Sequence, residues 1–392
     1  MSKIGVEIEL LTLTKDFYES NDAQKIIEIG KENDINLIFD CSETMVEFVS
    51  KPGTVAEVEQ EIYSTLTKLN AVLENTEYRV LPIEYPLRKN FISKIRDIQK
   101  FKDKSEILGR DNYHLSGKIM GTHIHFDLDK KKENMLNQIN FLNLADPLVI
   151  ALSACSPGDS DEEFNSKRIY TYRYKIYKDF PYQGNIHKIF SSFEEFDTIA
   201  NEKFIEFIEI GKSKGIDYSK HTNKYNASWG PLRLNEKFNT IELRSLGSNP
   251  DIRIALGIAE LILLGLKKIN PDPNNIMITE QILSQIIGTT NITEASTRLR
   301  ELSDLSIKFG LKSEQVYSYC KKFMNFCLNT PNKNNQKYIQ ILEQILFTKK
   351  NMSTFIQNLE ADNSEKYMLL HTVYKNTLNL LKNIPAEKWT LA

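Results

Sequence analysis

Four short segments of the chain alternate apolar residues with acidic or imidazole residues, and this pattern limits the folds open to it. Successive side chains of a β-strand point to opposite faces, so residues two apart share a face. The segments are KIGVEIELL from residue 3, TMVEFVS from residue 44, GTHIHFDL from residue 121 and TIELRSL from residue 240. Each predicts a strand with an apolar back, and the polar fronts carry Glu7, Glu9, Glu47, His123, His125, Glu242 and Arg244.

The ordinary interpretation of one such strand is an antiparallel sheet with one face in water, and it suffices for TMVEFVS alone. Solvent faces, however, mix Lys with Glu so that opposite charges pair, and apart from Lys3 at the start of the first segment Lys is absent from the four fronts. Gathering Glu7, Glu9, Glu47 and Glu242 on one surface needs divalent or substrate cations to offset the repulsion. Carboxylates with an imidazole suit Mg²⁺ or Mn²⁺ holding nucleotide phosphates. Arg244 then supplies a fixed cation for a transferring phosphoryl group.

Several other chemistries lack their sequence signals. The chain has no GxxxxGK[ST] or GxGxxG segment to cradle phosphates. Its GxSxG match, GKSKG at residues 211–215, does not follow a strand pattern, so it does not predict the elbow of a serine nucleophile. Cys41, Cys155, Cys320 and Cys327 have neither CxxC nor zinc-site spacing. We expect four free thiols, with Cys41 a small buried residue rather than a nucleophile.

Charge and hydropathy argue against nucleic-acid and membrane partners. Lys and Arg number 50 against 52 Asp and Glu, a net charge of -2, so the chain carries no strong basic field. The most apolar stretch, 254–266, contains Glu260 and is shorter than the roughly 20 residues of a membrane span. The strand pattern begins by Lys3, before a signal peptide could fit, and we therefore expect a cytoplasmic protein.

The predicted secondary structure changes along the chain. Up to about Ser248 it mixes short strands with helices, and after Pro250 it is almost wholly helical. Thr54 and Glu57 predict a capping box at the first clear helix. Pro271 and Pro273 predict a boundary between a catalytic ATP- and metal-binding sheet domain, 1–270, and a helical region, 271–392, packed on it. The helices predicted from periodicity are 54–73, 252–266, 293–309, 313–328, 336–347 and 365–381.

In order along the chain, GVEIEL, DCSETMVEF, GTHIHFDL and TIELRSLGSNP resemble the glutamate–cysteine ligase and carboxylate–amine ligase family of glutamine-synthetase-like fold. YTYRYKIYKDFPYQG and ASWGPLRLNEKFNTIELRS are similar to further segments of that family, and the resemblance covers residues 4 to about 265. It implies an α+β fold in which a curved, mostly antiparallel sheet forms an active-site funnel flanked by helices. It also implies an ATP-dependent ligase of glutathione biosynthesis type, joining glutamate to cysteine through an acyl phosphate with release of ADP.

The resemblance also assigns roles to single residues. It makes Glu7, His123 and Glu242 ligands of the metal that polarises the ATP γ-phosphate. Ligands of metal nearer the acceptor carboxylate would be Glu9 and Glu47, helped by Asp40 or Glu43. Arg244 would neutralise the transferred phosphoryl group, and Arg233 and Arg173 would hold phosphate or substrate carboxylate.

Simpler interpretations stand beside these roles. Asp40 and Glu43 equally suit the start of a strand or a turn, and Arg173 lies in a run with Lys175 and Lys178 that suits a solvated face. Trp229 is expected in the core or a pocket wall. His125 is expected as a structural neighbour, and His114, His187, His221 and His371 as structural or surface residues.

The function also has alternatives at this stage. The amine partner stays open among amino acids, other amines and a carrier-bound substrate, as does the oligomeric state. A phosphagen-type phosphotransferase of the same broad fold and a non-catalytic binding protein are the other two hypotheses. The paired Glu-x-Glu favours the ligase over the first, and the complete set of acids argues against the second.

Overall fold

A single antiparallel sheet organises the part of the chain that contains the four predicted strands. The computed structural model describes residues 3–157, 164–180, 184, 188–227, 229–269, 280–329 and 337–383. Within these residues the strands are β1 (Ile4–Thr14), β2 (Leu37–Phe39), β3 (Met45–Val49), β4 (Tyr78–Leu81), β5 (Gly121–Asp127), β6 (Leu232–Asn235) and β7 (Thr240–Gly247). All four predicted strands are present, as β1, β3, β5 and β7.

The strand order is β2-β3-β1-β5-β7-β6, and β4 pairs with the C-terminal end of β1. Every described pairing is antiparallel. Strands distant in sequence therefore become neighbours, with β1 at the centre between β3 and β5. The back of β1 is buried along Ile4, Val6, Ile8 and Leu10, as alternation predicted.

Helices make up most of the rest of the described chain. They are α1 (Ala23–Glu32), α2 (Val55–Leu73), α3 (Gln99–Leu108), α4 (Arg110–His114), α5 (Lys132–Ser153), α6 (Lys167–Thr171), α7 (Phe193–Ser213), α8 (Arg253–Ile269), α9 (Glu280–Ile286), α10 (Ile292–Lys308), α11 (Glu314–Leu328), α12 (Ile339–Thr348), α13 (Met352–Gln357) and α14 (Asn363–Asn383). A π turn, Tyr172–Ile176, continues α6. The α+β class with a mostly antiparallel sheet is thus confirmed.

The predicted helix boundaries agree with the structure to within a few residues. The capping box of α2 is present, because Thr54 accepts from the Glu57 backbone and Glu57 accepts from the Thr54 backbone. Ser313 caps α11, and its side chain accepts from the Val316 backbone. The predicted start of the fifth helix at residue 336 and the turn around Pro271 and Pro273 lie outside the described residues.

Helices from both predicted regions share one hydrophobic core. The apolar back of the sheet, α5 and α8 belong to the same buried cluster as α11, α12 and α14. In this cluster α14 packs on α2, and α11 packs on α5 and α8. The helix α5 is buried all along Leu136–Ser153, as expected of a helix enclosed on every side. The division at residue 270 itself stays a prediction.

Two further expectations concern the cysteines and the membrane. All four cysteines are buried and none of them forms a disulfide, as expected. Burial, followed by the charge of Asp40, raises the pKa of the Cys41 thiol well above its ordinary value, so this thiol is a poor nucleophile. Among the described helices, none combines the length and the apolar character needed to cross a bilayer.

Candidate active site

The register of the sheet gathers the polar fronts of four strands into one cluster. Glu9 of β1 lies opposite Glu47 of β3, and Glu7 lies opposite His123 of β5. His125 lies opposite Glu242 of β7. We call these six residues the acidic cluster: Glu7, Glu9, Glu47, His123, His125 and Glu242. Strand alternation predicted only that these side chains share one face of their own strand. Antiparallel pairing brings them into contact with one another.

Glu7 lies at the centre of the acidic cluster and joins both imidazoles. His123 Nδ1 is 3.0 Å from Glu7 Oε2, and His125 Nε2 is 3.0 Å from Glu7 Oε1. Two sets of metal-ligand atoms result, each with its atoms within 4.8 Å of one another: Glu7 with His125 and Glu242, and Glu7 with Glu47 and His123. Glu7 belongs to both sets, which suits a carboxylate between two cations.

The position of His125 differs from its expected role as a structural neighbour. Its Nδ1 lies 3.0 Å from Thr240 Oγ1, which fixes the ring, while Nε2 faces Glu7. A hydrogen bond on one ring nitrogen that orients the other is the usual support of a metal-binding histidine. Sequence reasoning underrated His125 because its opposite position on the neighbouring strand, Glu242, depends on the register.

Burial and neighbouring charges shift the acidic groups in different directions. Burial, then the charge of Asp40, raises the pKa of Glu9 to about 8, and burial, then Glu7, raises the pKa of Glu47. Burial alone would raise the pKa of Glu7, but hydrogen bonds to His123 and His125 hold it below its ordinary value. Burial, then Arg244, lowers the pKa of His123 to about 3. A neutral His123 keeps a ring nitrogen available as a ligand.

Arg233 and Arg244 both bind Glu242. Arg233 forms a two-pronged ion pair with this carboxylate, and Arg244 Nη1 donates to its Oε1. Burial would raise the pKa of Glu242, but the two arginines lower it. The structure thus brings two of the three predicted arginines, Arg233 and Arg244, to the cluster, on the side where β6 and β7 meet.

Arg173 is not brought to the acidic cluster. Its guanidinium is buried in an ion pair with Asp146 of α5, at 3.1 Å, and donates to Ser303 Oγ of α10. It also donates to the Gly184 carbonyl. The expected phosphate- or carboxylate-binding role of Arg173 has no support in this position. Arg173 does not lie on a solvated face either, because its buried side chain links α5 to α10.

Arg168 was not predicted as a site residue, but it lies beside the acidic cluster, where Arg173 was expected. Its fully buried side chain donates to the Arg244 carbonyl at 2.8 Å, and Nη2 is 3.3 Å from His123 Nε2. Gly121 makes this possible, because any Cβ there would overlap the guanidinium. The positive charge of Arg168 partly offsets the buried carboxyl groups of Glu9 and Glu84. The one signal in the sequence was an arginine beside the tyrosines of RIYTYRY.

Asp40 and Glu43, the two expected helpers, lie differently. The charge of Asp40 raises the pKa of both Glu9 and Glu47, so its carboxylate borders the acidic cluster. Glu43 precedes β3 in a turn, where its backbone N–H donates to the Lys94 carbonyl. Within the described residues Glu43 belongs to neither metal-ligand set. The alternation of β3 ends at Met45, so Glu43 does not continue its polar front.

A cavity of about 390 Å³ borders the cluster at Asp40, Arg233 and Arg244. Its walls include Lys100 and Lys104 of α3, Tyr177 and Trp229. Trp229 is buried and stacks on Tyr172, with ring centroids 4.3 Å apart and planes 6° apart. This confirms the expectation of a pocket-wall tryptophan. The cavity therefore has Asp40 and the two arginines that bind Glu242 at one side, and lysines and aromatic rings at the other.

The sequence matches the model of glutamate–cysteine ligase family 2 over residues 3–278, and the chain belongs to that family. This membership supports a carboxylate–amine ligase. The comparison with curated proteins finds no match.

Solved structures share the fold. A glutamate–cysteine ligase from Francisella tularensis, solved in complex with AMP, is 13% identical with a TM-score of 0.63, over 98% of this chain and 90% of that chain. A bifunctional glutathione synthetase from Pasteurella multocida is 14% identical with a TM-score of 0.57, over 96% of this chain. This chain spans only 52% of the bifunctional protein. At these identities the likeness concerns the fold.

Proposed function

We propose that this protein is an ATP-dependent ligase that joins the side-chain carboxylate of glutamate to an amine, with cysteine the first candidate amine. A carboxylate oxygen attacks the γ-phosphorus of ATP, the bond to ADP breaks, and an acyl phosphate forms. The amine nitrogen then attacks the acyl carbon and loses a proton, and phosphate leaves. Family membership and the shared fold support the class of reaction.

The observation that carries the proposal is the position of Glu7 in two sets of ligand atoms. Carboxylate oxygens with one imidazole in each set match the donors that Mg²⁺ and Mn²⁺ accept. Glu9, which lies opposite Glu47 of the second set, adds one more buried acidic group that cations would offset. The residues present therefore fit Mg²⁺ or Mn²⁺, held by Glu7, Glu47, His123, His125 and Glu242, with Glu9 and Asp40 beside them.

Bound Mg²⁺ would offset the charge of the ATP phosphates and orient them for in-line transfer. The chain itself contributes Arg244 and Arg233, whose guanidinium groups converge on Glu242 at the edge of the cavity. From there they can donate to phosphoryl oxygens as charge develops. Neither proposed step needs a protein nucleophile, in keeping with the buried Cys41 thiol.

The test is an incubation of the protein with ATP, Mg²⁺ and L-glutamate and a panel of amines, with products identified by mass. We expect an amide of glutamate together with stoichiometric ADP and phosphate. The Glu7→Gln and Glu242→Gln variants, with unchanged circular dichroism, should lose most turnover, and chelation should abolish it.

Three outcomes would contradict the proposal in different ways. AMP formed in step with the amide would replace the acyl phosphate with an adenylate. A phosphorylated guanidine without an amide would indicate the phosphagen-type reaction. Full turnover of a protein carrying both Gln substitutions would refute the metal assignment.

A further inference from the structure

Two lysines of α3 line the cavity beyond the arginines. Lys100 and Lys104 are four residues apart, so they lie on the same side of the helix. Lys104 is partly buried, and its ammonium group lies near the phenol of Tyr177. Among the described residues, Lys104 makes no ion pair with a carboxylate. A partly buried positive charge that lines a cavity without a counter-charge favours an anion there.

The two lysines also repel each other. Burial, followed by the positive charge of Lys104, lowers the pKa of Lys100. Arg233 adds to this effect and Asp40 opposes it. The positive charges of this wall therefore exceed its negative charges, and an anion in the cavity would relieve the excess.

Tyr177 supplies a second donor beside Lys104. Its hydroxyl oxygen accepts from the Trp229 backbone N–H at 3.0 Å and lies near the Lys104 ammonium group. Its own proton is left to donate, and it has no acceptor among the described residues. An ammonium and a phenol O–H side by side match the two oxygens of a carboxylate.

We propose that Lys104, with Lys100 and the Tyr177 hydroxyl, forms a subsite for the carboxylate of the amino-acid substrate that does not react. This inference rests on the proposed ligase function. In that function the reacting carboxylate and the phosphates lie at the acidic cluster, whereas the α-carboxylate of glutamate keeps its charge throughout. The cavity extends from Arg233 and Arg244, which bind Glu242 of the cluster, to the lysine wall, so one small substrate can contact the arginines and the lysines together. The subsite gives the enzyme a means to select amino acids over simple acids.

Binding measurements without turnover test the subsite. L-glutamate and 4-aminobutanoate differ in one group, because the second lacks the α-carboxylate. Calorimetry with the full chain and Mg²⁺ should show at least tenfold tighter binding of L-glutamate. Lys104→Met should remove most of this difference by weakening L-glutamate roughly 10- to 100-fold, while 4-aminobutanoate binding stays the same. Lys104→Arg, which keeps the charge, should recover part of the affinity.

Lys102→Met is the matched control. Lys102 is exposed on the same helix, pairs with Asp97 at 2.6 Å, and does not line the cavity. It should bind L-glutamate like the unmodified protein, and melting curves of all variants check the fold.

The binding of ATP to the Lys104→Met variant tests the competing explanation. If Lys104→Met weakens ATP while L-glutamate binding is unchanged, the lysines hold nucleotide phosphate and the inference is wrong. Equal binding of L-glutamate and 4-aminobutanoate to the unmodified protein would also overturn it. Failure of the ligase function itself gives a different result, namely no amide from any amine in the mass assay.

Discussion

Glu9 and Glu47 lie directly opposite each other across β1 and β3, and both side chains are buried. Like charges at directly opposed positions of an antiparallel pair destabilise a sheet. Gly121 N donates to Glu9, but no described ion pair joins either of these two carboxyl groups to Lys or Arg. The sheet therefore keeps a costly pair at its centre, which is typical of a functional site.

Removing one acid of this pair should stabilise the metal-free protein. In the presence of EDTA, Glu47→Gln should raise the free energy of unfolding by up to about 1 kcal/mol, because Gln avoids both the repulsion between two carboxylates and the cost of protonating Glu47, whose pKa burial raises. With Mg²⁺ the gain should shrink or reverse, since a ligand is lost. Thermal melts with EDTA and with Mg²⁺ measure both effects. Glu32→Gln, an exposed position on α1, is the control and should change neither. A Glu47→Gln protein less stable in EDTA would contradict the prediction.

Gly121 should be intolerant of any side chain because of Arg168. We expect Gly121→Ala to lower both the melting temperature and the activity, since a Cβ would displace the guanidinium from His123 and the Arg244 carbonyl. Loss of such a buried, paired charge costs about 3–5 kcal/mol. Gly5→Ala is the control on the neighbouring strand, where the added Cβ meets His125 Cβ at an ordinary 3.6 Å.

A double-mutant cycle separates this effect from a general loss of packing. Arg168→Met should itself be destabilising, but adding Gly121→Ala to it should cost much less than in the unmodified protein, because the overlap is gone. Additive losses would show that Gly121 does not act through Arg168.

Arg244 should act on the transition state more than on ATP binding. We expect Arg244→Ala to lower kcat by roughly 10²- to 10³-fold, with a much smaller change in the KM for ATP. Metals would already offset the ground-state charge, whereas a planar donor aimed at the phosphoryl oxygens matters most during transfer. Arg244→Lys keeps the charge but loses the fork, so it should also be impaired.

The close pairing of Arg244 with Glu242 raises a competing explanation, in which the arginine only holds the sheet together. In that case the melting temperature would fall and kcat of the folded fraction would be preserved. Steady-state kinetics beside melting curves distinguish the two. A raised KM for ATP at unchanged kcat would exclude the transition-state role.

His371 should make the protein less stable in mild acid. It is buried in α14 against Phe17, and its Nε2 has no hydrogen-bond partner in the described structure. Burial, then Lys375 and Arg79, lowers the pKa of His371 to about 4 from an ordinary 6.5, with Glu74 opposing. The unfolded chain therefore takes up a proton first as the pH falls below 6.5. Stability above that pH is unaffected and is lost progressively towards pH 4.

His371→Phe keeps the ring contact and removes the titration. Its free energy of unfolding, relative to the unmodified protein, should grow between pH 7 and pH 4 by at most about 3 kcal/mol. Urea unfolding at several pH values provides the measurement. A constant difference across this range would show that His371 titrates alike in both states.

The sequence alone determined the strands and the face each residue occupies. Side-chain alternation is a property of the local backbone, so Glu7, Glu9, Glu47, His123 and Glu242 could be assigned to polar fronts without knowing which strands are neighbours. The capping box of Thr54 and Glu57 likewise determined where α2 begins, because caps act within one turn.

The tertiary structure decided which of these groups meet. His125 contacts Glu7 only because β5 pairs with β1 in one register. Arg168 rather than Arg173 reaches the acidic cluster, although the two are five residues apart. That choice depends on how α6 and its π turn lie against the sheet, and on the space that Gly121 leaves for a guanidinium. The cavity lined by Lys104 likewise depends on how α3 packs beside Tyr177. The sequence could not predict it, because long-range packing produces no local periodicity.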